Sequence, residues 1–236
     1  MEENWNAAYG EQASIYEDFS RYEDADGLVL LDLLRRQPLG RKTVLEIGCG
    51  TGKYTRHLAE QCARYVALDR SAPLLAIARE RCAGLEAITF LQAEAEAIPL
   101  PDASVDVVFS SWALDGIVPV SAREQAIAEC ERVLRDSGDI WVVGNHFTGA
   151  FMEMRGEGSI AIDRAGYAFM LAHGFAHIET IQTRFRFPSL GEAHRILTFI
   201  FGESAAKYLD DHPVPTLEHR VVLLHRPKTT AAASLG

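Results

Sequence analysis

Cysteine, cationic side chains and long apolar runs are all scarce in this chain. Only four of its 236 residues are cysteine, Cys49, Cys62, Cys82 and Cys130. They are scattered with no CxxC pair, which argues against a disulfide framework or a thiolate metal site and suits reduced thiols in a core or on helices. No apolar run reaches the roughly 18 residues that a spanning helix needs. The acidic opening Met1-Glu2-Glu3-Asn4 lacks the basic segment and apolar stretch of a secretory signal. Against 33 Asp plus Glu stand only 23 Lys plus Arg, a net charge of −10 whose sign opposes the backbone of DNA or RNA. The expectation is a cytoplasmic protein with no membrane span and no nucleic-acid partner. What is present is ordinary: 48% apolar and 24% charged residues, as in globular chains. A chain this long buries roughly 70 to 75% of its unfolded surface, enough for one large α/β domain.

From Thr43 onward short β-rich runs alternate with amphipathic segments, the pattern of parallel strands joined by crossover helices. Strands are expected at Thr43 to Gly48, Arg64 to Asp69, Ile88 to Gln92, Val105 to Ser111 and Ile140 to Gly144. Helices are expected at Gly52 to Cys62, at Ala72 to Cys82 with Ser71 as its cap, and at Ala122 to Arg135, followed by a turn at Asp136-Ser137-Gly138. A further helix near Asp163 to His173 precedes two strands, Ala176 to Phe187 and Leu217 to His225, which should pair antiparallel. Ahead of the sheet, Ile15, Phe19 and Tyr22, then Leu28, Leu31 and Leu34, recur at helical intervals. Residues 1–40 thus read as a helical segment that covers the sheet, 41–227 as the core it completes into one domain, and 228–236 as a flexible tail.

The most informative stretch is Val44-Leu45-Glu46-Ile47-Gly48-Cys49-Gly50-Thr51-Gly52, a strand ending in a glycine-rich turn that opens a helix. Glycines there permit positive φ and let main-chain atoms approach a ligand; a plain turn needs no such series. Nicotinamide sites use G-x-G-x-x-G, but Lys53 holds the third glycine's position and Gly52 comes one residue early. With Glu46 two residues before the first glycine, the segment resembles motif I (E-x-G-x-G-x-G) of the class I S-adenosylmethionine-dependent methyltransferases. Ala93 to Asp102 is similar to the G-D-A-E-x-L-P-F-P-D stretch of their ubiquinone-biosynthesis-like branch. Ser104 to Ser111 resembles the family's fourth strand, and Arg132 to Ile140 its entry to strand five, without the usual proline.

The resemblance covers about residues 43 to 145. It implies a Rossmann-like, doubly wound, seven-stranded α/β sheet, mostly parallel with an antiparallel last strand and a helical N-terminal lid. It also implies S-adenosyl-L-methionine as cofactor, S-adenosyl-L-homocysteine as product, and methyl transfer to an O, N or C atom of a small molecule. Carried over residue by residue, Gly48, Gly50 and Gly52 would meet the cofactor through backbone, with Glu46 beside them. Asp69 would take the ribose, Glu94 and Ala95 the adenine, Ser111 the methionine ammonium, and Tyr16 of the lid the sulfonium. His146 and Asp115, at the carboxyl edge of the sheet, are each a candidate base, a substrate anchor or a loop residue. The other histidines (His57, His173, His177, His194, His212, His219 and His225) show no ligand spacing and read as helix, loop or strand-surface positions.

No metal is expected, since Asp115 and Asn145 are too few to hold one. Trp112, Leu114, Phe147, Phe151, Met152 and Met154 either line a pocket for a partly apolar or aromatic acceptor or pack under the lid. Residues 191 to 210 read as an inserted helix that closes the acceptor site or meets a second subunit, so a homodimer is a possible partner state. The alternatives are a non-catalytic cofactor-binding module and a nicotinamide oxidoreductase.

Overall fold

Alternating β-branched and apolar runs become strands wherever both faces are covered. A computed structural model of the protein describes residues 3–228. Its sheet has seven strands: β1 (Thr43–Ile47), β2 (Arg64–Asp69), β3 (Ile88–Gln92), β4 (Val105–Ser111), β5 (Leu134–Asn145), β6 (Ala176–Arg186) and β7 (Thr216–Pro227). Their order is β3-β2-β1-β4-β5-β7-β6. The pairs β1/β2, β2/β3, β1/β4 and β4/β5 are parallel, and β7 runs antiparallel to both β5 and β6. This is the doubly wound sheet with an antiparallel last strand that the sequence leads one to expect. The order reverses between β1 and β4, so a crevice opens beyond their carboxyl ends, where open α/β sheets take ligands.

Helices form two layers and a cap. Around α1 (Trp5–Tyr9), α2 (Ala13–Tyr22) and α3 (Leu28–Arg36) the chain enters; α4 (Thr55–Ala59), α5 (Ala72–Arg81) and α6 (Val120–Val133) are crossovers; α7 (Ala150–Arg155), α8 (Glu157–Ala172), α9 (Leu190–Phe201) and α10 (Glu203–Asp211) follow β5 and β6. On one sheet face Leu45, Leu68 and Val108 pack with Ala126, Ile127 and Cys130 of α6 and Met170 of α8. On the other, Val44, Tyr65 and Ala67 pack with Val29 and Leu33 of α3, Leu58 of α4 and Leu75 of α5. A third core joins Phe19 of α2 to Phe151, Met152 and Met154 of α7, Phe185 of β6 and Ile196 and Leu197 of α9. The aromatic and methionine residues of α7 therefore fill the seam between cap and sheet.

Several boundaries differ from the sequence reading. The first crossover helix is short because the turns at residues 50–54, with Gly50 and Gly52 in the left-handed region, delay it to Thr55. The Asp136-Ser137-Gly138 turn is a bulge inside β5: from Val105/Leu134 to Val107/Asp139, two steps on β4 face five on β5, with Ser137 at φ +66°. The inserted segment is two helices, not one, because Gly202 (φ +69°, ψ −147°) breaks it. One added helix, α1, precedes the expected pair. Of the tail, residues 229–236 lie outside the described residues.

The cap also accounts for the acidity of the chain. Residues 1–27 carry eight acidic side chains (Glu2, Glu3, Glu11, Glu17, Asp18, Glu23, Asp24, Asp26) against Arg21 alone, so −7 of the total −10 resides there. Four of those acids pair with core cations: Glu17 with Arg81, Asp18 with Arg195 at 2.5 Å, Glu23 with Lys53 at 3.1 Å, and Asp26 with Arg184 and Arg186 at 2.9 and 2.8 Å.

Candidate active site

β1 ends at the switch point and its glycine turn defines the site. Gly48 has φ +70°, its N–H donates to Leu68 O at 2.8 Å, and a Cβ added to it would collide with the methyl group of Ala113. Gly50 (φ +54°) donates its N–H to Asp69 Oδ2 at 2.8 Å; a Cβ there would lie 3.1 Å from the Tyr16 ring. Gly52 lets the turn close onto Ala78 of α5. Beneath the turn, the Glu46 carboxyl is buried and accepts hydroxyl hydrogens from Thr55 at 2.5 Å and Tyr65 at 2.9 Å, both through Oε2. Burial outweighs those two donors and pushes its pKa up to about 7.

At the end of β2, Asp69 holds the turn with one oxygen and the Ser71 N–H, at 2.8 Å, with the other. Burial raises its pKa, while these backbone donors oppose the rise. Beyond Asp69 lies a cleft of about 440 Å³ lined by Tyr9, Arg70, Ser71, Gln92 and the exposed Glu94. On the far side of the turn, a cavity of about 20 Å³ is lined by Tyr16, Glu23, Glu46, Gly48, Lys53, Ser111 and Trp112. The cleft has the volume of small-molecule sites, roughly 300 to 1,000 Å³, and the cavity that of one or two waters. Tyr9 and Tyr16, edge to face with ring centres 5.1 Å apart, stand between them.

The structure therefore gathers Tyr16, Glu46, Gly48, Gly50, Gly52, Asp69 and Ser111 at one sheet edge, with Glu94 across the cleft and Ala95 buried beside it. It sets His146 and Asp115 apart: neither lines the cleft or the cavity. The His146 ring pairs through Nδ1 with Thr148 Oγ1 at 2.8 Å and stacks on Phe147; partial burial and then the Arg220 charge lower its pKa. Asp115 is wedged against Gly144, one oxygen has no hydrogen-bond partner among the described residues, and burial, reinforced by nearby Asp163, lifts its pKa to about 7.

Five residues at this edge escaped the sequence reading of the site: Glu23, Lys53, Tyr54, Asn145 and His219. His219 corrects the expectation of a surface histidine, for it is fully buried on β7. Its ring lies against Phe151 and Phe185, at 4.6 and 5.1 Å, and against Trp112 at 5.9 Å. Asn145 Oδ1 accepts from Trp112 Nε1 at 3.0 Å and from His219 Nε2 at 2.9 Å, while Asn145 Nδ2 donates to Asp163 Oδ2 at 3.3 Å. That amide assignment places the histidine proton on Nε2 and leaves Nδ1 a lone pair, 3.5 Å from Glu23 Oε1 and without a hydrogen bond among the described residues. Burial, with Lys53 and Arg155 nearby, holds His219 well below the usual histidine range, so it is neutral. Its inward position was legible in the alternation Leu217, His219, Val221, whose members are all buried. Lys53 lies 5.1 Å from the rings of both Tyr54 and Trp112. Trp112 itself has φ +50°, a strained conformation for a bulky residue of the kind that gathers at functional sites.

An open α/β sheet with a glycine-rich first crossover and a buried carboxylate ending the second strand is the build of a nucleotide-type binding protein. Residues 45–142 match the family described as a methyltransferase domain. The chain is 32% identical over 145 residues to the malonyl-[acyl-carrier protein] O-methyltransferase of Pectobacterium atrosepticum, covering 59% of this chain and 54% of that one. It is 30% identical over 186 residues to the enzyme of that name in Methylococcus capsulatus, covering 78% and 62%. The chain thus spans between about half and two thirds of the length of these relatives. The fold is shared with the N-methyltransferase NodS of Bradyrhizobium japonicum in complex with S-adenosyl-L-homocysteine, at TM-score 0.55, 14% identity and 86% of each chain. Residues 45–142 are thus similar to a methyltransferase domain, on a fold shared with a methyltransferase of known structure.

Proposed function

We propose that this protein transfers a methyl group from S-adenosylmethionine to a small-molecule acceptor by in-line displacement. The observation that carries the reading is the glycine turn itself: Gly48 and Gly50 hold left-handed conformations against Ala113 and Tyr16, and the turn is tied by its own N–H to the Asp69 carboxylate. Glycine leaves no side chain between the turn and the Tyr16 ring, and Asp69 joins the turn to Ser71 on the wall of the cleft, which supports an adenosyl group as the ligand.

Bound there, the cofactor supplies a methyl group already activated on a sulfonium. What remains for the chain is to bind, orient and exclude water, and alignment by itself supplies on the order of 7 to 11 kcal/mol of barrier reduction. Asp69 takes the ribose hydroxyls with lone pairs not used on Gly50 and Ser71. Glu94 and the Ala95 amide face the adenine, and the Ser111 carbonyl, with Glu46 below, faces the methionine head. Helices α1 and α2 act as the lid, with Tyr16 over the turn. The acceptor enters between the lid and the Trp112 ring, and His146 serves it as base or anchor only after the lid has moved, while Asp115 stays buried against Gly144. Four free cysteines suit a cytoplasmic setting. A homodimer is proposed to cover the exposed Val118, Val120 and Ile162; sedimentation at the mass of one chain counts against it. Isothermal titration with S-adenosylhomocysteine tests the whole reading: measurable heat is expected, and its absence refutes it.

A further inference from the structure

The chain folds one of its own carboxylates into a receptor built for a carboxylate. Glu3, just ahead of α1, accepts four hydrogen bonds: Arg155 Nε at 2.8 Å and the Ser159 hydroxyl at 2.7 Å on Oε1, Arg155 Nη2 at 3.1 Å and the Trp5 indole at 2.6 Å on Oε2. Three of these donors belong to Arg155 and Ser159, on α7 and α8, outside the lid. The guanidinium is fixed before any ligand arrives: its Nη1 donates to Asp163 Oδ2 at 2.7 Å, and its carbon lies 5.4 and 5.6 Å from the ring centres of Phe151 and Phe201. Its side chain is only 7% exposed. A guanidinium fork held this way matches the planar geometry of a carboxylate and discriminates against a neutral amide.

The receptor is joined to the reaction edge. Asp163 accepts from Asn145, and Asn145 in turn holds Trp112 and His219, the residues beside Lys53 and the glycine turn. Glu3 reaches it from the acidic N-terminal segment, of which Glu17, Asp18, Glu23 and Asp26 also pair with core cations. Raising the lid takes Glu3 from Arg155, Glu23 from Lys53, Glu17 from Arg81 and Asp18 from Arg195, while Arg155 keeps Asp163 and Arg195 keeps Glu192. The group that replaces Glu3 on the Arg155 fork is an anion.

We propose that Arg155 and Ser159 bind the carboxylate of an anionic methyl acceptor, and that Glu3 holds its place while the lid is shut. The word acceptor rests on the methyl-transfer reading above; the carboxylate site does not. The probe is butyrate, which reproduces the glutamate side chain together with its Cα, titrated into the full chain with tryptophan fluorescence as the readout, since Trp5 lies in the receptor. In Glu3→Ala, butyrate should bind at least tenfold tighter than in the wild type, and the neutral isostere butyramide should show no such gain. Adding Ser159→Ala should take back at least threefold of it, and adding Arg155→Gln should abolish it; where circular dichroism shows that last variant unfolded, Ser159→Ala decides. Equal butyrate binding with and without Glu3, a matching gain for butyramide, indifference to Ser159→Ala, or an equal gain for inorganic phosphate each overturns the proposal. Titration of the same wild-type protein with S-adenosylhomocysteine separates the two readings: no heat there, with the butyrate result intact, removes methyl transfer and leaves the carboxylate site.

Discussion

Replacing Glu46 by glutamine removes one proton-binding group from the floor of the glycine turn and leaves its shape. The carboxyl is 1% exposed, and burial raises its pKa from 4.5 to about 7 in spite of the Thr55 and Tyr65 hydroxyls. Between those two values the folded chain holds a proton that the unfolded chain releases. The resulting stability is present in full below about pH 4.5 and is lost as pH rises through 7. A displacement of two to three pH units, at about 1.4 kcal/mol each, amounts to about 3 kcal/mol. Asp115, also raised to about 7, contributes with the same sign in both proteins and cancels from the comparison. Urea unfolding followed by circular dichroism at pH 5 and pH 8 measures the effect. Glu46→Gln should gain about 3 kcal/mol on the wild type between the two pH values. Parallel pH profiles for the two proteins would show that the buried carboxyl is not protonated on folding, and the account of the turn's floor would fail.

Gly48→Ala meets both a left-handed backbone, costing about 1 to 2 kcal/mol, and the Ala113 methyl, costing about 1 to 3 kcal/mol; urea midpoints should fall accordingly, and an unchanged midpoint refutes the packing described. Asp69→Ala removes an acceptor for the Gly50 and Ser71 amides as well as the proposed ribose partner, so calorimetry should find S-adenosylhomocysteine affinity lowered at least tenfold. Raising salt from 0.1 to 1 M shortens the screening length from about 10 to about 3 Å. Amide exchange in residues 5–22 should then accelerate, while that of β1 and β4 holds; equal response of lid and sheet contradicts an electrostatically latched lid.

The period of the apolar residues determined most of the sheet. Alternation and β-branching located every strand, and the placing of Gly48, Gly50 and Gly52 after the first of them located the tight turn that follows it, because such effects act between neighbours in sequence. Ser71 was legible as a cap for the same reason, and it accepts from Leu74 N. Tertiary structure alone decided what meets across the chain. Glu3 reaches Arg155, Glu23 reaches Lys53 and His219, and Asn145 orients both Trp112 and His219, pairs whose partners lie far apart in sequence. Their attraction depends on distance and burial, which no local pattern carries. The net charge of −10 was likewise readable as a sum, but only the fold reveals that Glu3, Glu17, Asp18, Glu23 and Asp26 of the N-terminal segment meet cations of the core. His219 lies between these cases: its alternation was written in the strand, and only the packing of Phe151, Phe185 and Trp112 around it made the inward face a dry one.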